Sequence, residues 1–277
     1  MTEKLGGFSG LFLGLLAIFG AFFLDGGSLR ALFLIPPLFV VFGGTFAAVI
    51  IGFGFEKFRE IFYLARLAYF PKSYNYTGLI FSFIDFSVLA RREGILSLEK
   101  ELDKLEYEFP KKLIKLVIDG TDPENLENIA LSGMKSMQER HFSNIFIFTK
   151  MGGYAPTMGI LGTVMGLVMT LANAGGDPNI LIHNIATAFI ATLWGVLSAN
   201  LFWLPIADRL RQCHLEEKHM MQISLEGVLT LQSGEIPSVM KARLLSLLPQ
   251  QEEKRLTGLA EMRHQSLQKK LIKTDIS

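Results

Sequence analysis

YAPTMGILGTVMGLVMTLANAGGDPNILIHNIATAFIATLWGVLSANLFWLP, residues Tyr154 to Pro205, is the stretch on which the fold turns. It is two apolar segments broken once, at Ala172-Asn173-Ala174-Gly175-Gly176-Asp177-Pro178. Met151 to Gly176 holds no Asp, Glu, Lys or Arg, and neither does Pro178 to Ala207. A bilayer's hydrocarbon core is about 30 Å thick and takes about 20 helical residues to cross, so each segment is long enough to be a membrane span.

The same absence of charge recurs outward, over Leu5 to Leu24 and Ala31 to Phe55. A soluble protein can bury one such run; four in a chain of 277 residues predict an all-α, polytopic inner-membrane protein with four transmembrane helices. Lys4 ahead of an apolar run has the outline of a secretory signal. The run, however, is Gly-rich and is followed by Asp25-Gly26-Gly27 rather than a small-residue cleavage site, so it reads as a retained span. Of the 27 Lys and Arg, 13 lie between Phe55 and Phe142 and 11 between Asp208 and Ser277. The turns after the first and third spans hold only Arg30. Lys57, Arg59, Arg66, Arg140, Lys150, Arg209 and Arg211 crowd the other span ends, so the positive-inside rule puts both termini and the long middle segment on the cytoplasmic side of the inner membrane. Cys213, the single cysteine, excludes an internal disulfide, and a net charge of +1 gives no nucleic-acid signal.

This gives four regions: transmembrane helices one and two in 1–55, a cytoplasmic helical domain in 56–142, transmembrane helices three and four in 143–207, and C-terminal helices with a polar tail in 208–277. In span one, Gly6, Gly10 and Gly14 recur every four residues and offer one face for close helix approach. In span two, Pro36-Pro37 predicts a kink. The phenylalanines of both spans, among them Phe8, Phe12, Phe19, Phe33, Phe39, Phe42 and Phe46, suit a lipid-facing outer wall. In the cytoplasmic part, Phe58 to Phe70 reads as an apolar helix along the inner membrane surface. Leu79 to Ala90 and Leu96 to Tyr107 read as amphipathic helices, and Lys112 to Ile118 continues the pattern after Pro110. Asp122 is an N-cap with Pro123 at the first helical position of a helix running into span three. Leu225 to Leu248 reads as helix, break, helix, and Gln250 to Ser277 as a solvated helix or frayed tail.

None of the spans contains an ionisable acid. Ion passage through hydrocarbon generally needs a buried carboxylate or a set of oxygen ligands, and the spans offer only hydroxyls: Thr45, Thr157, Thr163, Thr170, Thr187 and Thr192. A chain of this kind conducts only if a partner brings the acid. The small residues of spans three and four, Gly159, Gly162, Gly166, Ala188, Ala191, Gly195 and Ala199 among them, either pack the two spans together or line a pore that grips a partner's helix. Pro156 and Pro205 each free a carbonyl one turn back and predict hinges. His183 could relay protons or be an incidental interfacial residue; His141, His214, His219 and His264 lack metal-site spacing. Without a phosphate-binding glycine loop or a nucleophile with a base, the chain shows no enzyme chemistry and no cofactor.

The segment from Gly153 to Leu167, with Pro156, Gly159, Gly162, Thr163 and Gly166, resembles the third-span signature of the MotA/PomA family, stator subunits of the bacterial flagellar motor within the group that includes ExbB and TolQ. Ala191-Thr192-Leu193-Trp194-Gly195 with Ala199-Asn200 and Pro205 resembles its fourth span. Arg91 to Glu99 resembles the rotor-engaging segment, and Glu226-Gly227 with Gln232-Ser233-Gly234-Glu235 and Pro237 the distal helix pair. The resemblance covers about residues 1–249. It implies a homopentameric ring around a dimer of a single-span MotB/PomB-like protein whose membrane aspartate carries the ion, the rotor switch protein FliG being met by the cytoplasmic domain. It also implies roles: Pro156 and Pro205 in coupling; Thr163, Thr187 and Thr192 along the ion path; Arg91, Arg92, Glu93 and Glu99 facing the rotor, with Lys111 and Lys112 secondary. Thr163 resembles sodium-type members, while Ala191 stands where those carry threonine, so the transported ion is read as H+, with Na+ the alternative. An ExbB/TolQ-like energiser of an outer-membrane process is the rival reading, disfavoured by four spans and the Arg91 to Glu99 segment. A stand-alone channel or a membrane scaffold are further rivals.

Overall fold

The computed structural model describes residues 2–173 and 175–248. The reading of Gln250 to Ser277 falls outside the described residues. Every described element is helical. Among the described residues four helical stretches are long and apolar enough to cross a membrane: Gly7–Leu24, Ile35–Tyr69, Pro123–Ala172 and Pro178–Gln232. The described residues form two compact units, one within residues 2–72 and 138–215, the other within 73–137 and 216–248.

The first unit holds the spans. Helix α1 (Thr2–Leu24) is followed by two short helices, α2 (Leu29–Leu32) and α3 (Ile35–Leu38), a widened π turn (Phe39–Gly43) and α4 (Gly44–Tyr69). Pro36 and Pro37 sit in the first turn of α3, at the very start of the Ile35–Tyr69 stretch rather than in its interior, where a missing N–H costs nothing. The irregularity expected at the prolines is the π turn after them. Within α4, Gly54 adopts φ 83°, which breaks the helix between the deeper span and the Phe58 to Phe70 piece. Only glycine takes that conformation without a Cβ clash. Helix α7 (Pro123–Ala172) carries span three, and α8 (Pro178–Ser198) carries span four, which continues through a π turn (Ala199–Trp203) into α9 (Leu204–Gln232). Val49, Ile147, Phe148 and Met151 form the inner core of this unit. Towards the other end, Trp194 donates its indole N–H to the Leu32 carbonyl at 2.8 Å.

The aromatic wall is divided. Phe12 and Phe39 face outward, whereas Phe33 lies 5.2 Å from Trp194, Phe42 lies 6.1 Å from Trp194 and 6.4 Å from Trp203, and Phe46 lies 6.0 Å from Trp203. The glycine stripe of α1 is also only partly used: a Cβ on Gly14 would come 2.9 Å from Leu201, whereas one on Gly10 would meet nothing within 4 Å.

The second unit packs α5 (Tyr76–Glu93), a 3₁₀ helix (Ile95–Lys104), α6 (Glu108–Ile118), the start of α7, the end of α9 and α10 (Pro237–Ser246) around Phe83, Ile114, Leu126, Ile223, Met240 and Leu244. Leu96 to Tyr107 was expected as an α-helix, but its regular part is 3₁₀. Ile95 and Leu98 stand three apart, as do Leu102 and Leu105, and a three-residue turn lays each pair on one edge. Helix α6 begins before Pro110, not after it, with the proline in the first turn. The start of α7 follows the sequence: the Asn125 N–H donates to Asp122 Oδ1 at 3.0 Å, and Pro123 opens the helix. Helix α9 ends at Gln232, and Gly234, at φ 69°, turns the chain into α10.

Candidate ion-coupling site

Spans three and four meet backbone to backbone. A Cβ on Gly159 would lie 2.9 Å from the Ala191 carbonyl, and one on Gly195 would lie 2.7 Å from the Ala155 carbonyl. Only glycines allow this approach. It brings Thr163 and Thr192 together, and their hydroxyls form a hydrogen bond. Thr163 Oγ1 also lies 3.0 Å from the Gly159 carbonyl and 3.3 Å from that of Ala188. Four oxygens thus cluster at one point of the interface, without a charge among them. Such a group can relay a hydrogen bond or replace part of an ion's hydration shell, but it cannot neutralise a cation. Among the described residues no three His, Cys, Asp or Glu are grouped to hold a metal ion.

Thr187 is not part of that cluster. It precedes Thr192 by five residues, which is about 140° round an α-helix. Its hydroxyl donates to the His183 carbonyl at 2.8 Å. It faces a separate cavity of about 330 Å³ against Pro36 and Pro37, with His183 and Asn184 in the same wall.

The two prolines read from the sequence as hinges, Pro156 and Pro205, lie within α7 and at the start of α9. Pro156 lies inside α7 and, lacking an N–H, leaves the Gly152 carbonyl without its helical donor. Gly152 packs on Leu204, since a Cβ there would come 2.4 Å from the leucine side chain, so the turn loosened by Pro156 abuts the residue before Pro205. Pro205, exposed, stands in the first turn of α9, directly after the π turn. The wider turn makes room for a proline ring that would otherwise press on the carbonyl four residues back.

In the second unit Arg91, Arg92, Glu93 and Glu99 are all exposed. Arg91 Nη2 donates to the Gly234 carbonyl at 3.2 Å. The turn that presents this carbonyl is pinned from both sides: Ser87 Oγ donates to the Glu235 carbonyl at 3.3 Å, and Arg243 bridges Glu226 and Glu235 at 3.1 Å each. Gly234, Glu235 and Arg243 were not singled out from sequence as supports of Arg91. The only local signal was a glycine just past a helix end. Lys111 pairs with Glu108 on its own helix at 3.2 Å. His141 and His214, 73 residues apart, bring their Nδ1 atoms to 3.3 Å in the first unit, a pairing with no signature in the sequence. Elsewhere in the second unit, burial raises the Tyr107 phenol above its usual range, partly offset by the N–H of Asn75 that it accepts.

The family model described as the MotA/TolQ/ExbB proton channel family matches residues 101–223, which include both prolines and all three threonines. Motility protein A of Bacillus subtilis is 32% identical over 241 residues, covering 87% of this chain and 89% of its own. The chain belongs to the MotA/TolQ/ExbB proton channel family, in its MotA branch. Chemotaxis protein PomA of Vibrio alginolyticus is 30% identical over 223 residues, covering 80% of this chain and 87% of PomA. Among solved structures, that of the flagellar MotAB stator complex from Bacillus subtilis superposes with a TM-score of 0.83 at 31% identity, covering 91% of this chain and 98% of its counterpart. The family model begins beyond Arg91 to Glu99, whereas the likeness to Motility protein A extends over 87% of the chain.

Proposed function

We infer that the chain is a stator subunit of the flagellar motor which, with a MotB/PomB-like partner, couples inward ion flow to rotation of the rotor. The observation that carries this is the acid-free Thr163–Thr192 oxygen cluster in a chain that shares sequence and fold with MotA along most of its length. A site with ligand oxygens and no carboxylate is complete only when another helix supplies the charge. The similarity of the whole chain to MotA proteins, rather than of spans three and four alone, favours this over an ExbB/TolQ-like energiser.

In this reading five copies ring a dimer of the partner in the inner membrane, with both termini, residues 56–142 and residues 208–277 in the cytoplasm and residues 1–55 and 143–207 forming the four spans. The potential across the membrane supplies about 2.3 kcal/mol per charge for each 100 mV. Protonation of the partner's aspartate changes which surrounding copy it fits best. Five identical clefts around two carboxylates cannot all be matched at once, so neutralising one favours a step of the ring. Thr163 and Thr192 offer the hydroxyls that meet the ion or the carboxyl. Pro156 and Pro205 let the inner ends of the spans bend with each step, and Thr187 has a secondary place on the path. Arg91, Arg92, Glu93 and Glu99 pair transiently with opposite charges on FliG, an attraction weak enough at an exposed surface to be released at every step. The transported ion is read as H+, with Na+ the alternative; the chain binds no cofactor and no nucleic acid.

Co-expression with a single-span partner bearing one membrane aspartate should restore swimming in cells that lack stators. Replacing that aspartate by asparagine should abolish it. Swimming speed that is independent of sodium at fixed pH identifies the proton as the ion; failure of every MotB-type partner to restore swimming overturns the stator reading.

A further inference from the structure

We propose that the second unit carries, beside Arg91, a pocket that receives a lysine side chain of the rotor protein. The pocket has a volume of about 140 Å³ and is lined by the apolar side chains of Ala90, Ile95 and Leu231 and by the polar ones of Gln232 and Glu235. Arg91 and Gly234 belong to the same lining and are exposed, so the pocket opens on the surface that carries Arg91. Two unpaired oxygens say what kind of group fills it. Gln232 Oε1 and Glu235 Oε2 are both buried, and among the described residues neither accepts a hydrogen bond. The other end of the amide fixes which atom is the oxygen, since Gln232 Nε2 donates to the Thr121 carbonyl at 2.6 Å. Glu235 Oε1 is taken by Arg243 at 3.1 Å. Two side-chain donors of the lining are turned to the backbone instead: Ser87 Oγ to the Glu235 carbonyl, and Arg91 Nη2 to that of Gly234. A buried acceptor without a donor costs free energy, and a charged one costs most. The occupant therefore donates hydrogen bonds, and an anion is excluded.

The mixed lining narrows the choice. Magnesium or calcium takes about six oxygen ligands or more, and the lining offers two unpaired side-chain oxygens. Water answers those oxygens but leaves Ala90, Ile95 and Leu231 facing it. A guanidinium fork is at its best on both oxygens of one carboxylate, and Glu235 has only one to give. A lysine answers each part. Its methylene stem lies along the apolar lining, and its ammonium, with three donors, reaches acceptors that sit on different residues. Brought in beside Arg91 it is a like charge, tolerable where the same partner also presents an acid to Arg91. The complementary surface is thus a lysine flanked by an acid. That the partner is the rotor protein rests on the stator reading, in which Arg91 faces it; the pocket's demand for a cationic donor does not.

The test uses motile cells that carry the full-length chain with its membrane partner. They are permeabilised and treated with a carbodiimide, which joins a carboxylate to an amine only where the two touch, and the products are mapped by mass spectrometry. Glu235 should be joined to one lysine of the rotor protein. Ala90→Leu, which fills the pocket, should cut the yield of that product about tenfold, the weight of one hydrogen bond to a charged group. Should that variant not fold, Gln232→Leu, which removes one acceptor, should do the same. Changing the joined rotor lysine to alanine should lower torque, and combining it with Ala90→Leu should lower torque no further than either change alone. Coupling of Glu235 to many lysines alike, to a lysine of the chain's own residues 249–277, or to none while the cells swim overturns the proposal. So does a product indifferent to both variants, or a pair of torque losses that add. Swimming cells without the product leave the stator assignment standing and remove only the pocket, whereas failure of every MotB-type partner to restore swimming removes the stator assignment and the rotor lysine with it.

Discussion

Thr163 and Thr192 share a hydrogen bond across the contact of spans three and four, and each is close in shape to valine. Thr192→Val therefore removes an oxygen without opening a cavity. Torque in a tethered-cell assay should fall severalfold, Thr192→Ser should retain most of it, and Thr187→Val should be milder because Thr187 faces a different cavity. Equal losses at 187 and 192 would remove the distinction between them. Asp122 offers a pH-dependent prediction of another kind. The N–H of Asn125 that it accepts holds its carboxyl below the usual carboxylate range. A depressed folded-state pKa means that the cap's contribution is fully present above the unfolded value of about 3.9 and is lost as pH falls through the lower folded value. Asp122→Ala should lower the melting temperature of the purified protein at pH 7, and the difference from the parent should shrink as the pH is taken below that of the folded carboxyl.

At the scale of elements, the seam between α7 and α8 is held at backbone distance by Gly159 and Gly195. An added methyl at Gly159 meets a carbonyl oxygen and a Cα rather than the end of a flexible side chain, so the helices themselves must separate. Gly159→Ala should cost about 1–3 kcal/mol, the usual range for overpacking, and should lower the yield of folded protein in detergent. Gly153→Ala, with nothing within 4 Å of its Cβ, should not. The sequence marked these glycines as small but left open whether they pack the spans together or line a pore. They pack the spans, and the hydroxyl pair is set into the same contact. The break in hydrogen bonding at Pro205 was legible, because a missing N–H is a local fact. The π turn before it was not, because widening depends on how α8 and α9 are held on either side of the proline. The 3₁₀ course of Ile95–Lys104 was missed for a related reason: apolar residues three and four apart suit either helix until the neighbours settle which rows are buried.

For the whole molecule, the stator reading predicts that replacing Arg91 and Glu99 together by glutamine lowers torque under load while the complex with the partner still assembles and can be purified intact. Both side chains are exposed, so the change should cost little stability. Loss of the assembled complex would make them structural. Four uncharged runs, the Asp122–Pro123 cap and the Gly234 break could all be read without coordinates. Hydrocarbon excludes charge residue by residue, and caps and turns depend on near neighbours. Only the tertiary structure decided that Thr163 meets Thr192, 29 residues on, that Arg91 reaches the carbonyl of Gly234, 143 residues away, and that His141 lies against His214. Those pairings depend on how each helix is rotated about its own axis when the cores close, and an apolar pattern fixes that rotation only once it has a partner to pack against.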